Sequence, residues 1–552
     1  MARLKGIAIT GFRSIDDEID VRFPEHGGVL IVGENNAGKS NIVRALDLVL
    51  GERWPGSFSP EDHDYFGREP RAPGAGIRVT VDVEDVVDER WGAISSLSLS
   101  CSDDARTEFT MDTESAPSRF VSNAVRNQLT CMVVGADRRL SYQLSYASQW
   151  TLLSKLMRRF HHVLMDDEAR VERLRDYFAL LHDVFDEVDE FAEFRMQLAT
   201  QVEELSQNLT YGLDIDFSAY DPSNYFRAMR VHPMLDGQTR SFDELGTGQE
   251  QILALGFAYS YAHAFAGDNM DLVLVVEEPE AHLHPLAQDW LATRLSRFLD
   301  ADVQVLITTH SPSFIDLQRL DGLVVARKAE DSSATYTLQR SPAELAAHCH
   351  DTGASPGLSA ESILSHYDAH ATAEIRAAFF ARAVLLVEGL TEALALPILL
   401  ARLGVETARL GIAVVSVTGK GNLAKWWRLF TCYETPTLIM FDNDVKNDPD
   451  AARRTDVLDT VGIPQEDHEA LLTAETLVVR DSVVVFGNDY ESTLRGLLPD
   501  YEAVEQTAEN VVGTSKPLKA RYVADHLPLE DRPPELELFA AAVLRLVEPG
   551  PT

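Results

Sequence analysis

The stretch Val29-Leu30-Ile31-Val32-Gly33-Glu34-Asn35-Asn36-Ala37-Gly38-Lys39-Ser40-Asn41 decides how the chain is read. Its first four residues are continuously apolar, as in a strand buried on both faces. The next eight fit G-x-x-x-x-G-K-[ST]. Ile42, Ala45, Leu46 and Val49 then mark one face of a helix. Strand, glycine-rich turn and helix in that order aim backbone N–H groups at an anion. Gly33 and Gly38 let the backbone turn, with Asn35, Asn36 and Asn41 in and beside the loop. Lys39 would reach the β- and γ-phosphates and Ser40 would ligate Mg²⁺. The expectation is a nucleoside triphosphate site in an α/β domain.

On either side of this motif the character of the chain changes in blocks. Residues 1–145 read as strand-rich, with alternation at Ile7–Ile9, Ile19–Phe23 and Ile77–Val83 and a loop-rich stretch marked by Pro55, Pro60, Pro70 and Pro73. In 151–210, Val171, Leu174, Phe178, Leu181, Phe185 and Val188 recur at 3-4-3-4-3, the period of a helical seam. This reads either as a helical hairpin packed on its own domain or as a dimerisation arm. Asp271–Val276 and Val303–Thr308 read as parallel strands separated by a helix around Leu286–Phe298.

The first of these strands runs into Glu277-Glu278-Pro279-Glu280, and the second ends in Thr308-Thr309-His310. Carboxylates at the carboxyl end of a buried strand suit a Mg²⁺–phosphate centre. Glu277 is expected to hold the metal, Glu278 to polarise the attacking water and His310 to sense the γ-phosphate.

A third α/β block follows a boundary near 375. Strands at Val384–Val387, Ile412–Val417 and Thr437–Phe441 alternate with helices at Glu392–Leu403 and Leu423–Phe430. Glu388 and Glu392 follow the first strand, Asp442-Asn443-Asp444 the last, and Asp489-Tyr490-Glu491 the apolar stretch Ser482–Phe486. Carboxylates gathered at parallel strand ends would form an all-oxygen cage of the kind Mg²⁺ or Mn²⁺ prefers. Without a cation they would repel one another. Lys420, Lys425 and Arg428, with Trp426 and Trp427 between them, read equally as a basic–aromatic patch on a nucleic-acid path or as a core tryptophan pair among solvated lysines.

Composition bounds these readings. The chain has 552 residues, of which 45% are hydrophobic and 25% charged, a globular profile long enough for two or three domains. A net charge of −38 argues against a coating of basic patches for non-specific nucleic-acid binding. Four scattered cysteines form no C-x-x-C pair, which argues against a structural zinc site or a disulfide framework. No apolar run reaches the length of a membrane span, so a cytoplasmic protein without a membrane partner is expected.

The N-terminal Gly11-Phe12-Arg13-Ser14, the asparagine-containing loop at 33–41, Glu277–Pro285 and Thr308–Pro312 together resemble the ABC-type ATPase heads of the RecF and SMC class. Gly246-Thr247-Gly248 stands where such heads carry their signature motif, with Thr247 in place of the commoner serine. The carboxylate set, with Gly419-Lys420-Gly421-Asn422 between its two acidic motifs, resembles a TOPRIM domain. The two in this order resemble the OLD (overcoming lysogenization defect) family of nucleases. The resemblance implies an α/β chain with an ABC-class ATPase head (1–150 and 211–375), a helical insertion (151–210) and a C-terminal Rossmann-like TOPRIM domain (376–552). It implies ATP and Mg²⁺ or Mn²⁺ as cofactors, DNA as substrate, a homodimer or higher even oligomer and, in some members, a partner helicase and a role in phage defence. By that resemblance Glu388, Glu392, Asp442, Asp444 and Glu491 would hold two metals, Asp489 would be a further ligand, and Lys516 would stabilise charge on the phosphate. The alternative is a RecF-like, ATP-switched DNA clamp or loader whose TOPRIM domain is inactive.

Overall fold

The computed structural model describes residues 2–548, leaving out 52, 69–75, 103–105, 114–115, 127, 136–150, 206–230, 265–270, 301–302, 447, 531 and scattered positions within 152–163, 232–243 and 282. Residues 1–133 and 267–552 form one compact unit, and 134–266 form a second.

Among the described residues, the first unit is built on three sheets. One is antiparallel, in the order Ile19–Arg22, Arg3–Thr10, Ile77–Asp88, Gly92–Cys101, Thr107–Thr113, Ala116–Phe120. Its alternating apolar residues (Ile7, Ile9, Val79, Val81, Leu97, Leu99) pack on Ile42, Leu46 and Val49 of the helix Lys39–Leu50. The second sheet runs Thr335–Gln339, Leu323–Lys328, Val29–Val32, Gln304–Thr308, Asp271–Glu277, Leu129–Val134. Its inner pairs are parallel, as expected of apolar runs joined by helices. The parallel pairing puts the ends of Val29–Val32, Gln304–Thr308 and Asp271–Glu277 at one edge.

The third sheet runs Ile412–Ser416, Ala383–Val387, Thr437–Asp442, Val483–Phe486, Val478–Val479, parallel except for the last pair. Both faces are covered. Trp426, Leu429 and Phe430 of the helix Leu423–Cys432 lie on one face, and Leu396 and Leu400 of Leu390–Arg402 on the other. One apolar core joins this sheet to the second, running from Val32, Leu320 and Val325 through Tyr367 and Phe379 to Leu386 and Phe430. Arg327 ties the same junction, donating to Glu434 O at 3.0 Å and Thr435 Oγ1 at 2.5 Å just ahead of the strand that carries Asp442.

In the second unit, residues 168–205 form the helices Glu168–Asp186 and Asp189–Leu205. The 3-4 seam is interrupted where the first helix ends, because Val188 falls in the turn and is exposed. Val171 and Leu174 are half-buried, while the side chains of Phe178, Leu181 and Phe185 lie outside the described residues. Gly246 precedes the helix Thr247–Ala264, its N–H bonded to Gln249 Oε1 at 3.1 Å. No helix among the described residues is long and apolar enough to cross a membrane.

Candidate functional site

The parallel strands of the second sheet deliver the nucleotide-type residues together. Gly33 (φ +147°) and Gly38 (φ +98°) both need a glycine backbone. A Cβ at Gly33 would lie 2.2 Å from Ala326 O, and one at Gly38 2.2 Å from Thr335 Oγ1. Asn36 is also left-handed at φ +67°. The loop thus curls over the N-terminus of Lys39–Leu50, which has no side-chain cap and leaves its first N–H groups for an anion. Asn41 Nδ2 donates to Ser14 Oγ at 2.7 Å, and Ser14 Oγ lies 2.7 Å from Thr335 Oγ1, so the Phe12-Arg13-Ser14 turn braces the loop.

Lys39 is 5% exposed, and its Nζ donates to the carbonyls of Gly33 and Glu34, each at 2.9 Å. Burial pulls its pKa down to about 8 against the pull of Glu278, Glu280 and Glu34. Glu278 sits at φ +46°, a strained position for a non-glycine residue, where its N–H donates to Thr308 O at 2.8 Å. That turn directs Glu278 Oε1 to within 3.6 Å of His310 Nε2. Burial and the Lys39 charge hold the His310 imidazole below its usual pKa, against Glu278 and Glu280. Glu280, which the motif reading left aside, accepts from His310 N–H through Oε1. Glu277 is the last residue of its strand, paired with Thr308.

The third sheet delivers the carboxylates. Glu388 follows Ala383–Val387, and its Oε1 accepts from Asp442 N–H at 2.8 Å. Glu392, 7% exposed in the first turn of Leu390–Arg402, accepts from Gly389 N–H at 3.1 Å. Burial pushes both carboxyls up, and among its other influences Glu392 feels the charges of Glu388 and Glu491. Asp442 is pushed up to about 8, first by burial and then by Glu392, Glu388 and Glu491, with Lys420 opposing. Asp444 accepts from Lys446 N–H at 2.9 Å. Glu491 is 8% exposed. Its Oε2 lies 2.9 Å from Lys516 Nζ, and its buried Oε1 has no hydrogen-bond partner. Asp489 caps the helix Tyr490–Leu497, accepting from Ser492 N–H at 2.7 Å.

Among the described residues, no three His, Cys, Asp or Glu side chains are drawn close enough to ligate an ion as they stand. The donor set nonetheless fits a hard divalent cation. It is all oxygen, mutually repelling, and includes an orphaned buried carboxylate oxygen, while Lys420 and Lys516 hold two of its members.

Of the two readings of the basic–aromatic stretch, the structure favours the core one for Trp426 and corrects it at Lys420. Trp426 is fully buried, and Arg428 (5% exposed) donates to Thr352 O, Asp456 Oδ1 and Thr460 Oγ1. Lys420 is buried against Glu388 and is not solvated. Trp426 and Arg428 face the core because the helix Leu423–Cys432 lies flat on the third sheet, and Lys420 lies in the turn ahead of it. One sequence therefore presents its tryptophan and its arginine to the interior.

The motifs also did not disclose the residues that hold the Asp442–Asp444 turn. Asn443 points inward, donating to Leu471 O at 2.7 Å, and Arg454 donates to Asn443 Oδ1 at 3.3 Å and Asp448 Oδ2 at 3.1 Å. Burial alone would raise the Asp448 carboxyl, but the N–H groups of Arg454 and Arg453 and the Arg454 guanidinium hold it below its usual range. Arg454 and Asp448 are 2% and 4% exposed, so Arg454→Met should cost about 3–5 kcal/mol in urea unfolding by stranding a buried carboxylate. The depressed pKa makes the pair's contribution present at neutral pH and lost as the pH falls through the folded-state value. The gap between wild type and variant should therefore narrow in acid. A loss under about 1 kcal/mol would show that the pair does not hold the turn.

The chain is similar to known proteins. Residues 379–444 match the family described as overcoming lysogenization defect protein-like, TOPRIM domain, and residues 108–315 match the AAA ATPase domain. The chain is 27% identical over 466 residues to the OLD nuclease of Thermus scotoductus, covering 80% of this chain and 82% of that protein. It is 28% identical over 190 residues to the Old nuclease of Escherichia phage P2, covering 34% and 30%. Among solved structures, the Smc head domain with an extended coiled coil, bound to the C-terminal domain of ScpA, from Pyrococcus furiosus aligns with TM-score 0.40 and 13% identity, over 64% of this chain and 99% of that one.

Proposed function

We propose that this chain, a homologue of the OLD nucleases with an ATPase domain and an OLD-like TOPRIM domain, is an ATP-hydrolysing, divalent-metal-dependent DNA endonuclease. The observation that carries the reading is that Glu388 and Asp442 at neighbouring strand ends and Glu491 in the first turn of the helix Tyr490–Leu497 are near enough for their charges to act on Asp442, with a buried Glu491 oxygen left unsatisfied. Glu388, Glu392, Asp442, Asp444 and Glu491 would hold the cation, Mg²⁺ or Mn²⁺, with Asp489 engaged chiefly as a helix cap. Bound there, it would supply Lewis-acid activation of water and neutralise charge on the phosphodiester. Lys516, with a side chain 58% exposed, can leave Glu491 for the phosphate and stabilise its developing charge.

At the nucleotide site, Lys39, now bonded to the Gly33 and Glu34 carbonyls, would hold the β- and γ-phosphates, and Ser40 and Glu277 would hold the Mg²⁺. Glu278 would orient the attacking water, with His310 Nε2 3.6 Å from its carboxylate to hold it. Plasmid cleavage with added Mg²⁺ or Mn²⁺, lost on adding EDTA, tests the reading, and cutting that survives EDTA would overturn it.

The assembly is a homodimer or higher even oligomer, in which Gly246-Thr247-Gly248 of one subunit closes the nucleotide loop of another. The support is the chain's signature-like motif and the exposed Tyr177 and Leu180 on the helix Glu168–Asp186. Light scattering should give at least a dimer, and Leu174, Phe178 and Leu181 changed together to polar residues should lower the assembly state. A monomer with and without ATP would remove this arrangement. Phage defence or DNA repair, with or without a partner helicase, is the setting such an activity fits, and plaque counts on cells expressing wild type and Asp442→Ala would test it.

A further inference from the structure

The carboxylate site contains two lysines that differ in kind. Lys516 is a half-exposed side chain on the rim. Lys420 is 6% exposed, with Nζ 3.3 Å from Glu388 Oε1 and donating to Asp442 O at 2.5 Å. Its place is fixed by backbone. Gly419 donates its N–H to Glu388 O at 2.8 Å and turns at φ +118°, ψ 150°, a conformation that favours glycine. Asn422 Nδ2 then closes the turn on Val417 O at 3.0 Å. A lysine meant for a DNA phosphate would keep its ammonium in water. This one is spent on the oxygens of two residues that flank the metal-type site.

From this geometry we infer that Lys420 is the resident cation of the TOPRIM site, a positioning residue that neutralises the carboxylates when no divalent ion is bound and thereby sets the affinity for that ion. Glu388 Oε1 serves Lys420 and the Asp442 N–H at once, so the ammonium also fixes Glu388 relative to Asp442. Its charge competes with an incoming cation for the same carboxylates, while Glu392 and the unpartnered Oε1 of Glu491 remain for that cation. The inference rests on reading the site as a divalent-cation site.

The test uses the full-length protein, Mn²⁺ alone as probe, isothermal titration for affinity and thermal unfolding with and without EDTA. Lys420→Met should melt at least ~5 °C below wild type in EDTA, recover most of that loss in saturating Mn²⁺, and bind Mn²⁺ about tenfold more tightly or better. Lys420→Arg should keep the EDTA melting point near wild type. Unchanged Mn²⁺ affinity, or an equal fall in melting point with and without Mn²⁺, would overturn the inference and leave Lys420 as packing only. If Lys420→Met does not fold, the double variant with Glu388→Gln should restore a folded chain by removing the charge Lys420 balances, and failure of the double variant would also overturn it. Absence of any Mn²⁺ binding by wild type would instead defeat the divalent-site reading. The EDTA melting points of Lys420→Met and the double variant would still decide whether Lys420 is the counter-charge.

Discussion

Asp442→Ala should abolish DNA cleavage, by about 10²–10³-fold or more, while the same protein hydrolyses ATP within about twofold of wild type. Asp442 ends the buried strand Thr437–Asp442 and is the residue on which the charges of Glu388, Glu392 and Glu491 converge. Removing it takes away a ligand at the centre of the cage, where an outer residue such as Asp489 cannot substitute, because its carboxylate caps a helix. The ATPase residues stand on a different sheet, on loops that Asp442 does not touch, so their turnover should persist. The substitution should also leave the melting point in EDTA unchanged or raise it, because a carboxyl pushed up to about 8 marks a group whose charge the fold opposes. Nicking assays, phosphate release and thermal unfolding on one preparation read all three. Full cleavage by the variant would remove the TOPRIM assignment, and lost cleavage together with lost ATPase would indicate general misfolding.

What could be read before the structure was known follows the range of the interactions involved. The nucleotide loop is local: strand, turn and helix lie within 29–50, and both glycines answer to their own backbone angles. Glu388 and Asp442 were equally legible, because an apolar run fixes a buried parallel strand and the acid at its end has one place to go. Lys420 was not. Its neighbours in sequence are glycines, and its burial arises from Glu388 and Asp442, brought to it by two other strands. Arg428 and Trp426 were left between two readings for the same reason, since a basic residue beside an aromatic looks alike on a surface and in an ion-paired core. The seam at 171–188 ran on to Val188, two residues past the end of its helix. The chain instead turns at 187–188, between acidic residues whose sequence spacing carries no stop signal.

Lys39→Ala should reduce ATP turnover by about 10²-fold or more, and Glu278→Gln should reduce it comparably while retaining nucleotide. The two losses have different origins. Lys39 is the buried cation of the loop, held between two carbonyls from which the phosphates must draw it, and alanine leaves the helix N-terminus as the main attraction for the anion. Binding itself should therefore weaken. Glu278→Gln keeps the shape of the side chain and its place beside His310, so nucleotide should still bind, but a neutral amide cannot polarise water as a carboxylate does. The strained backbone at Glu278 and the hydrogen bond that the His310 N–H donates to Glu280 both serve to aim that carboxylate. Filter binding and phosphate release should accordingly separate the pair, with Lys39→Ala low in both and Glu278→Gln low only in release. Equal turnover by wild type and Glu278→Gln would shift the water-activating role to Glu277, the remaining carboxylate at the end of the same strand.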